Sequence, residues 1–168
     1  MAVGIETEKK LIIRMPELAL LKKEKGYRQS EITQIYFESP SGVTHRVRKR
    51  VYPGETVYTE TKKTRISRMS VIEEESVISE AEYDTLLRTQ RVIGTPLHKK
   101  RHIFAFGKHT VEIDIYPEWK KSCVLEVELS DESEELTLPS YIEVVRDVTG
   151  SHRYSNHTMS QRFPKELL

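Results

Sequence analysis

Carboxylates on alternate residues mark several segments that lie far apart in this chain. Glu6 and Glu8 lie near the N-terminus. Glu126 and Glu128 lie within the otherwise apolar run Val124–Leu129. Alternate residues of a β-strand point to the same face, so each pair directs two acids to one side while apolar residues occupy the other. Because like charges repel, the convergence of these acids predicts strands whose acidic face is directed at a cation.

The same alternation recurs in other segments, some of them acidic and some basic. The charged residues that share it are Glu73 and Glu75, Glu112 and Asp114, Arg46, Arg48 and Arg50, and Lys99 and Arg101. In the segment 59–63, either Lys62 or Lys63 can belong to the charged face, because the alternation alone leaves the register open. Acidic and basic pairs thus belong to different strands.

This segregation of charge decides between two kinds of sheet. An ordinary antiparallel sheet buries its apolar face and leaves its charged face in water. Charges on a solvated face mix their signs, so such a face gives no reason for acids and bases to occupy separate strands. The pattern therefore predicts a closed sheet with a charged lumen, whose apolar outer face is covered by helices and loops.

Turn residues divide the chain into eight expected strands, which predicts a mostly β fold with flanking helices (α+β). The strands are expected at about 3–14, 32–37, 43–52, 56–63, 69–78, 97–106, 110–116 and 122–129. Helices are expected at 16–23, from the capping box at Ser79 onward, from Leu138 through Val148, and again from Arg153. Eight antiparallel strands match a barrel whose interior can hold one small ligand.

Size and charge restrict the remaining possibilities. A chain of 168 residues is expected to form one domain, 1–168. With 27 basic and 26 acidic residues, it has no overall field that would favour nucleic acid or a membrane as partner. We expect a soluble cytoplasmic protein, because the chain has a lone cysteine, Cys123, no long apolar run and no signal peptide. The sequence leaves open whether it is a monomer or a homodimer.

In their order along the chain, the charged segments resemble the motifs of the CYTH family, also called triphosphate tunnel metalloenzymes. The matching segments are Glu6-x-Glu8-x-Lys10, Gln34 with Tyr36, Arg46-Val47-Arg48, Thr61-Lys62-Lys63, Glu73-Glu74-Glu75, Lys99-Lys100-Arg101, Glu112-Ile113-Asp114, Glu126-Val127-Glu128, Val148-Thr149-Gly150 and Tyr154-Ser155-Asn156. Each motif is weak alone, but their order and spacing together are specific.

This resemblance implies an eight-stranded antiparallel tunnel that binds a triphosphate together with a divalent metal, Mg²⁺ or Mn²⁺. Most members hydrolyse the triphosphate; they include inorganic, thiamine and RNA triphosphatases and class IV adenylyl cyclases. The family's T-x-K pattern also selects Lys63, rather than Lys62, for the lumen.

Side-chain chemistry then divides the candidates by role. Arginine and lysine suit phosphate, and the expected substrate-binding residues are Lys10, Arg46, Arg48, Lys63, Lys99 and Arg101. Carboxylates suit a hard divalent cation, and the expected metal ligands are Glu6, Glu8, Glu73, Glu75, Asp114, Glu126 and Glu128. Lys99, beside Tyr36, is a candidate base for activating water. Glu75, with Glu73, would either hold a second metal or orient the attacking water.

The leading hypothesis is metal-dependent hydrolysis of inorganic tripolyphosphate to pyrophosphate and phosphate. Thiamine triphosphate hydrolysis and class IV adenylyl cyclase activity are alternatives within the same fold. A non-catalytic module that binds polyphosphate or a nucleotide is an alternative of another class. The sequence leaves open the roles of Glu112, Arg50 and Arg153, and whether Arg153, Tyr154 and Asn156 close one tunnel mouth.

Overall fold

The chain forms one antiparallel sheet that closes on itself. The computed structural model describes residues 1–168. The strands are β1 Ala2–Arg14, β2 Lys25–Phe37, β3 Val43–Tyr52, β4 Glu55–Arg65, β5 Ser70–Ile78, β6 Val92–Phe106, β7 His109–Ile115, β8 Ser122–Leu129 and β9 Val144–Asp147. The helices are α1 Leu18–Leu21, α2 Glu80–Thr89 and α3 Asn156–Gln161, with a 3₁₀ turn at His152–Tyr154. None of them has the length and apolar character needed to cross a membrane.

Closure of the barrel depends on β1, which pairs with two strands in succession. The sheet runs in the order β5-β4-β3-β2-β6-β7-β8-β1, and β1 pairs again with β5. Ala2–Thr7 pair with β5, whereas Thr7–Arg14 pair with β8. Where β5 has diverged, β9 takes over that edge at Leu11–Ile13. This arrangement confirms the prediction of an eight-stranded closed antiparallel barrel.

The main hydrophobic core lies outside the barrel. Its ten buried residues come from the outward faces of the strands and from α1: Leu11, Ile13, Leu21, Phe104, Val111, Ile113, Cys123, Leu125, Val127 and Leu129. Partly buried residues of the segment 136–142 pack against them. The alternation read from the sequence explains this arrangement, because each odd-numbered apolar residue of β8 points away from the lumen.

A second apolar cluster fills part of one end of the lumen. Ile12, Leu97 and Val124 occupy the lumen-facing register of their strands, and all three are buried. Trp119 and Met159, from segments outside the sheet, belong to the same cluster. At this end the lumen is therefore apolar on the side of β1, β6 and β8, whereas its other walls carry charge.

Two sequence predictions about secondary structure were wrong. The expected helix from Leu138 through Val148 is a turn followed by β9, because Val144–Asp147 supplies hydrogen bonds to the edge of β1 that β5 leaves. β2 begins at Lys25 rather than Ile32, and β6 begins at Val92 rather than Leu97. The glycines that suggested chain breaks lie within these strands, at irregularities in the β2–β6 pairing. The helix expected at 16–23 is present but reduced to α1.

We predict that Leu125→Ala lowers the free energy of unfolding by about 2–5 kcal/mol, because it opens a cavity in the outer core. Leu125 has no exposed surface, whereas Leu18 is 40% exposed. Leu18→Ala is therefore the matched control and is expected to cost much less. Urea denaturation measures both, and similar losses for the two variants would contradict a core outside the barrel.

Candidate functional site

The lumen holds a cavity of about 460 Å³ lined by 26 residues, of which only four are hydrophobic. Each of the eight barrel strands contributes at least one charged or polar side chain to its wall. This follows from closure, because the charged face of every strand has only the lumen to point into. The wall carries both signs of charge in close contact.

One ion-pair cluster connects β1, β4 and β5. Lys63 Nζ lies 2.8 Å from Glu6 Oε2 and 3.3 Å from Glu73 Oε2. Burial favours a raised pKa for Glu6, but the charge of Lys63 and the hydrogen bonds from Lys63 and Glu73 together outweigh it, and the pKa of Glu6 is lowered. Burial raises the pKa of Glu73. The contact confirms that Lys63, not Lys62, faces the lumen.

A second cluster connects β1 and β8. Lys10 Nζ lies 3.3 Å from Glu126 Oε1 and 3.9 Å from Glu8 Oε1, and it donates to the carbonyl of Tyr154. Although burial opposes it, Lys10 helps to hold the pKa of Glu126 at about 2. Burial, together with the charge of Glu126, raises the pKa of Glu8 to about 8. One lysine therefore does not neutralise both carboxylates.

A third cluster is buried in the wall. Asp114 accepts two hydrogen bonds from Arg101, at 2.7 and 2.8 Å, and lies 2.7 Å from Lys99 Nζ. Arg101 also contacts Glu112 and lies 3.5 Å from Glu126. Despite its burial, the pKa of Asp114 is held far below its usual range by Arg101 and Lys99. Burial lowers the pKa of Lys99 to about 7.

The arginines of β3 form a stripe with few protein partners. Arg48 donates to Gln34 Oε1 at 3.0 Å, and Gln34 donates in turn to Tyr36 Oη at 3.0 Å. The Nε atoms of Arg46 and Arg48 are buried and have no hydrogen-bond partner. Burial and the neighbouring Arg46 and Arg101 lower the pKa of Arg48 to about 9, so it remains cationic at neutral pH. The stripe therefore lines the lumen with guanidinium groups that the protein itself only partly satisfies.

Most of the residues expected from the sequence line this cavity. Those that do are Glu6, Glu8, Lys10, Tyr36, Arg46, Arg48, Lys63, Glu73, Glu75, Arg101 and Glu126. Lys99 and Asp114 lie behind the wall, and neither side chain has exposed surface. Glu128 lies at the rim, in a shallow depression shared with Glu6 and Glu73.

The cavity also contains residues that sequence reasoning left open or missed. Glu112 and Arg50, whose roles were open, both line it, as does Asn156; Arg153 and Tyr154 do not. Among the missed residues, the basic ones are Arg65, Arg68, His152 and His157. Arg65 carried a signal, because it lies two residues after Lys63 on the same strand face. The other three come from a turn and the C-terminal segment, where no strand periodicity applies.

The donor chemistry of the acidic residues fits a divalent cation, although no three Asp, Glu, His or Cys side chains converge on one point. The buried Oε1 of Glu126 accepts no hydrogen bond, although Lys10 Nζ is 3.3 Å away. Glu8 lies beside it with a raised pKa. A hard cation would neutralise this pair with the oxygen ligands that Mg²⁺ and Mn²⁺ prefer. Glu8 and Glu126 are therefore the carboxylates best suited to a metal.

Solved structures with this architecture include proteins named for triphosphate chemistry. The inorganic triphosphatase NE1496 superposes with a TM-score of 0.59 at 19% identity, covering 95% of this chain and 97% of that one. The chain has the fold of the CYTH-like triphosphate tunnel proteins. HpAC1 from Hippeastrum, an adenylyl cyclase candidate described as having a dominant triphosphatase activity, gives a TM-score of 0.53 at 13% identity, covering 74% of this chain and 80% of that one.

A third tunnel-like structure is the PH1819 protein from Pyrococcus horikoshii OT3. It gives a TM-score of 0.56 at 16% identity and covers 74% of this chain and 80% of that one. No protein-family model matches the sequence, and no curated protein does. At these identities the likeness concerns the fold of the tunnel.

We predict that Glu8 makes the metal-free protein less stable as pH rises. Its pKa is raised from 4.5 to about 8, so between these values the folded protein keeps a proton that the unfolded chain releases. The unfolded state then binds fewer protons, and the free energy of unfolding falls with pH by at most about 1.4 kcal/mol per pH unit.

Glu8→Gln removes this component and flattens the pH dependence, which urea denaturation in a chelator-containing buffer measures. Glu143→Gln is the control, because Glu143 lies in an exposed ion pair with Arg14. A wild-type slope equal to that of Glu8→Gln would show that Glu8 titrates normally.

Proposed function

We propose that this protein hydrolyses a triphosphate with the help of a divalent metal, and that inorganic tripolyphosphate is its substrate. The products are pyrophosphate and phosphate. The observation that carries this proposal is the presence of both signs of charge in one enclosed lumen. The tunnel fold shared with an inorganic triphosphatase, NE1496, supports the same chemistry.

The two signs of charge favour an enzyme over a passive anion receptor. A receptor gains affinity from cations and loses it from carboxylates, because each carboxylate repels the anion. Here the cavity wall includes Glu6, Glu8, Glu73, Glu75 and Glu126. Such acids are useful when a divalent cation lies between them and the phosphate oxygens. Metal-assisted phosphoryl transfer needs this combination.

The cations of the lumen would hold the phosphates. We assign this role to the cavity-lining residues Lys10, Arg46, Arg48, Lys63 and Arg101. Each guanidinium has five N–H donors, and the protein partners of Arg48 include only one hydrogen-bond acceptor, Gln34, so the lining residues Arg46 and Arg48 keep donors for charge-assisted hydrogen bonds to phosphate oxygens. Lys10 and Lys63 each contact two carboxylates, so they can lie at the boundary between metal and phosphate.

The carboxylates would hold the metal. We assign Glu8 and Glu126 to the principal ion, with Glu6, Glu73 and the rim residue Glu128 nearby. When bound, the ion would neutralise phosphate charge and so reduce its repulsion of the attacking water. Asp114 has both oxygens engaged with Arg101 and Lys99, so we propose that it positions these two cations rather than ligating the metal.

Glu75 is better placed than Lys99 to orient the attacking water. Glu75 lines the cavity and accepts a hydrogen bond from Thr61 at 2.9 Å, which fixes its carboxylate. Lys99 has a pKa suited to a base, but its ammonium lies behind the wall on Asp114. In this proposal the water oxygen bonds to the terminal phosphorus, the bridging P–O bond breaks, pyrophosphate leaves, and Glu75 accepts the water proton.

We expect phosphate release from tripolyphosphate in the presence of Mg²⁺ or Mn²⁺, and a loss of at least about 100-fold in kcat/KM for Glu126→Gln, because a ligand to the metal is removed. Glu143→Gln, at an exposed ion pair, is the matched control and should be unchanged. ATP and thiamine triphosphate are assayed in parallel, with cyclic AMP measured for ATP. Sustained cyclic AMP formation with little phosphate from tripolyphosphate would overturn the proposal.

We further expect Lys99→Met to lower the free energy of unfolding, because Lys99 compensates the buried charge of Asp114. We expect kcat to change little. Urea denaturation and steady-state kinetics measure the two effects. If Lys99 is the base, kcat instead falls by about 10²–10⁴-fold while tripolyphosphate still binds. That outcome would return the catalytic role to Lys99.

A further inference from the structure

One mouth of the tunnel carries cations that have no acidic partners. In the β4–β5 register, Lys63 lies opposite Glu73, but the next lumen-facing residue, Arg65, lies opposite Val71. The lumen-facing acids of β5 therefore end at Glu73, whereas the lumen-facing cations of β4 continue to Arg65. Arg65 and Arg68 line the cavity, and neither forms an ion pair with a carboxylate. Elsewhere in the lumen, Lys10, Lys63 and Arg101 are each paired with acids.

Backbone contacts hold these two arginines in place. Arg65 Nη1 donates to the carbonyls of Ser67 and Arg68, at 3.1 and 2.8 Å. Arg68 Nε donates to the carbonyl of Thr149 at 3.1 Å. A Cβ atom at Gly150 would lie 2.4 Å from Arg68 Cγ, so Arg68 packs directly on the Gly150 backbone. A guanidinium has five N–H donors, so each arginine keeps several for an anion.

The C-terminal segment also lines this cavity and contributes polar side chains to it. They include Ser155, His152 and His157. The His157 ring meets the Tyr36 ring edge to face, with centroids 5.3 Å apart. The apolar residues that line the cavity include Met69, next to Arg68 in the chain, and Val71, opposite Arg65. The mouth therefore combines the two arginines with a small apolar surface, and it is the unused guanidinium donors that favour a further anionic group here.

We propose that Arg65 and Arg68, with His152 and His157 of the same cavity, form a binding subsite for one more phosphate group beyond the three held inside the tunnel. The substrate class then includes linear polyphosphates longer than tripolyphosphate. This inference rests on the proposed function, because it assumes that the inner cations bind the first three phosphates. It names residues that set chain-length preference, separately from those that carry out hydrolysis.

The test compares the affinities of tripolyphosphate and tetrapolyphosphate by titration calorimetry in metal-free buffer, where hydrolysis does not intervene. We expect the wild-type protein to bind tetrapolyphosphate more tightly. Arg65→Gln should reduce that preference by about tenfold, the value of one charge-assisted hydrogen bond, while its tripolyphosphate affinity changes little. Arg65→Lys should restore part of the preference, because a cation returns without the planar fork.

Lys62→Gln is the matched control. Lys62 lies three residues before Arg65 on β4, is exposed, and faces away from the lumen, so its replacement removes the same charge outside the mouth. Equal losses of affinity for both anions in Arg65→Gln would indicate long-range attraction only and would overturn the subsite. An Arg65 dependence for ATP but not for tetrapolyphosphate would overturn it in favour of a nucleotide.

The two proposals can fail separately. If the wild-type protein binds both polyphosphates with the expected Arg65 dependence but releases no phosphate with Mg²⁺ or Mn²⁺, the subsite stands and the hydrolase does not. If tripolyphosphate is hydrolysed but tetrapolyphosphate binds no more tightly, the hydrolase stands and the subsite does not.

Discussion

Compensation of opposite charges inside a closed sheet is the interaction on which this structure depends. An unpaired ion removed from water costs several kcal/mol, so a lumen of one sign would oppose closure of the barrel. Here Lys63 is shared between Glu6 and Glu73, and Asp114 between Arg101 and Lys99. The first set of contacts joins β1, β4 and β5, and the second joins β6 and β7. Together they compensate the charges that the folded protein encloses.

The position of the hydrophobic core follows from this requirement. Because the inner faces are reserved for charge, apolar burial has to take place on the outer faces, against α1 and the segment 136–142. Apolar residues occupy the lumen-facing register only at one end, where Ile12 and Leu97 lie in one buried cluster with Trp119 and Met159. The rigid outer shell fixes the strand register, and the register in turn fixes which charges meet.

Most of the barrel could be predicted from the sequence, because the alternation of charged and apolar residues is a local property of each strand. Strand alternation places charges such as Glu126 on one face and apolar residues such as Leu125 on the other, and closure then follows from the segregation of the two signs. The same alternation also identified most of the acidic and basic strand residues that line the cavity. Arg65 shares a strand face with Lys63, but it was not among the predicted site residues.

What sequence reasoning could not supply depends on long-range contacts. The segment 144–147 became a strand because β1 offers it an edge, a fact that local propensity does not contain. Asp114 has the spacing of a lumen carboxylate, but its burial against Arg101 and Lys99 emerges only when β6 and β7 pair within the closed barrel. His152 and His157 reach the cavity from a segment without strand periodicity.

The central claim is that acids and bases of one lumen cooperate, through a divalent cation, in binding a polyanion. The most direct measurement is the affinity for tripolyphosphate with and without Mg²⁺, using Glu75→Gln protein to slow turnover. Binding of metal and anion is reciprocal, so cooperation requires each to raise the affinity for the other. We expect Mg²⁺ to tighten tripolyphosphate binding by at least about tenfold. Unchanged or weaker binding in Mg²⁺ would mean that the carboxylates serve only to neutralise the lysines and arginines, and would contradict the claim.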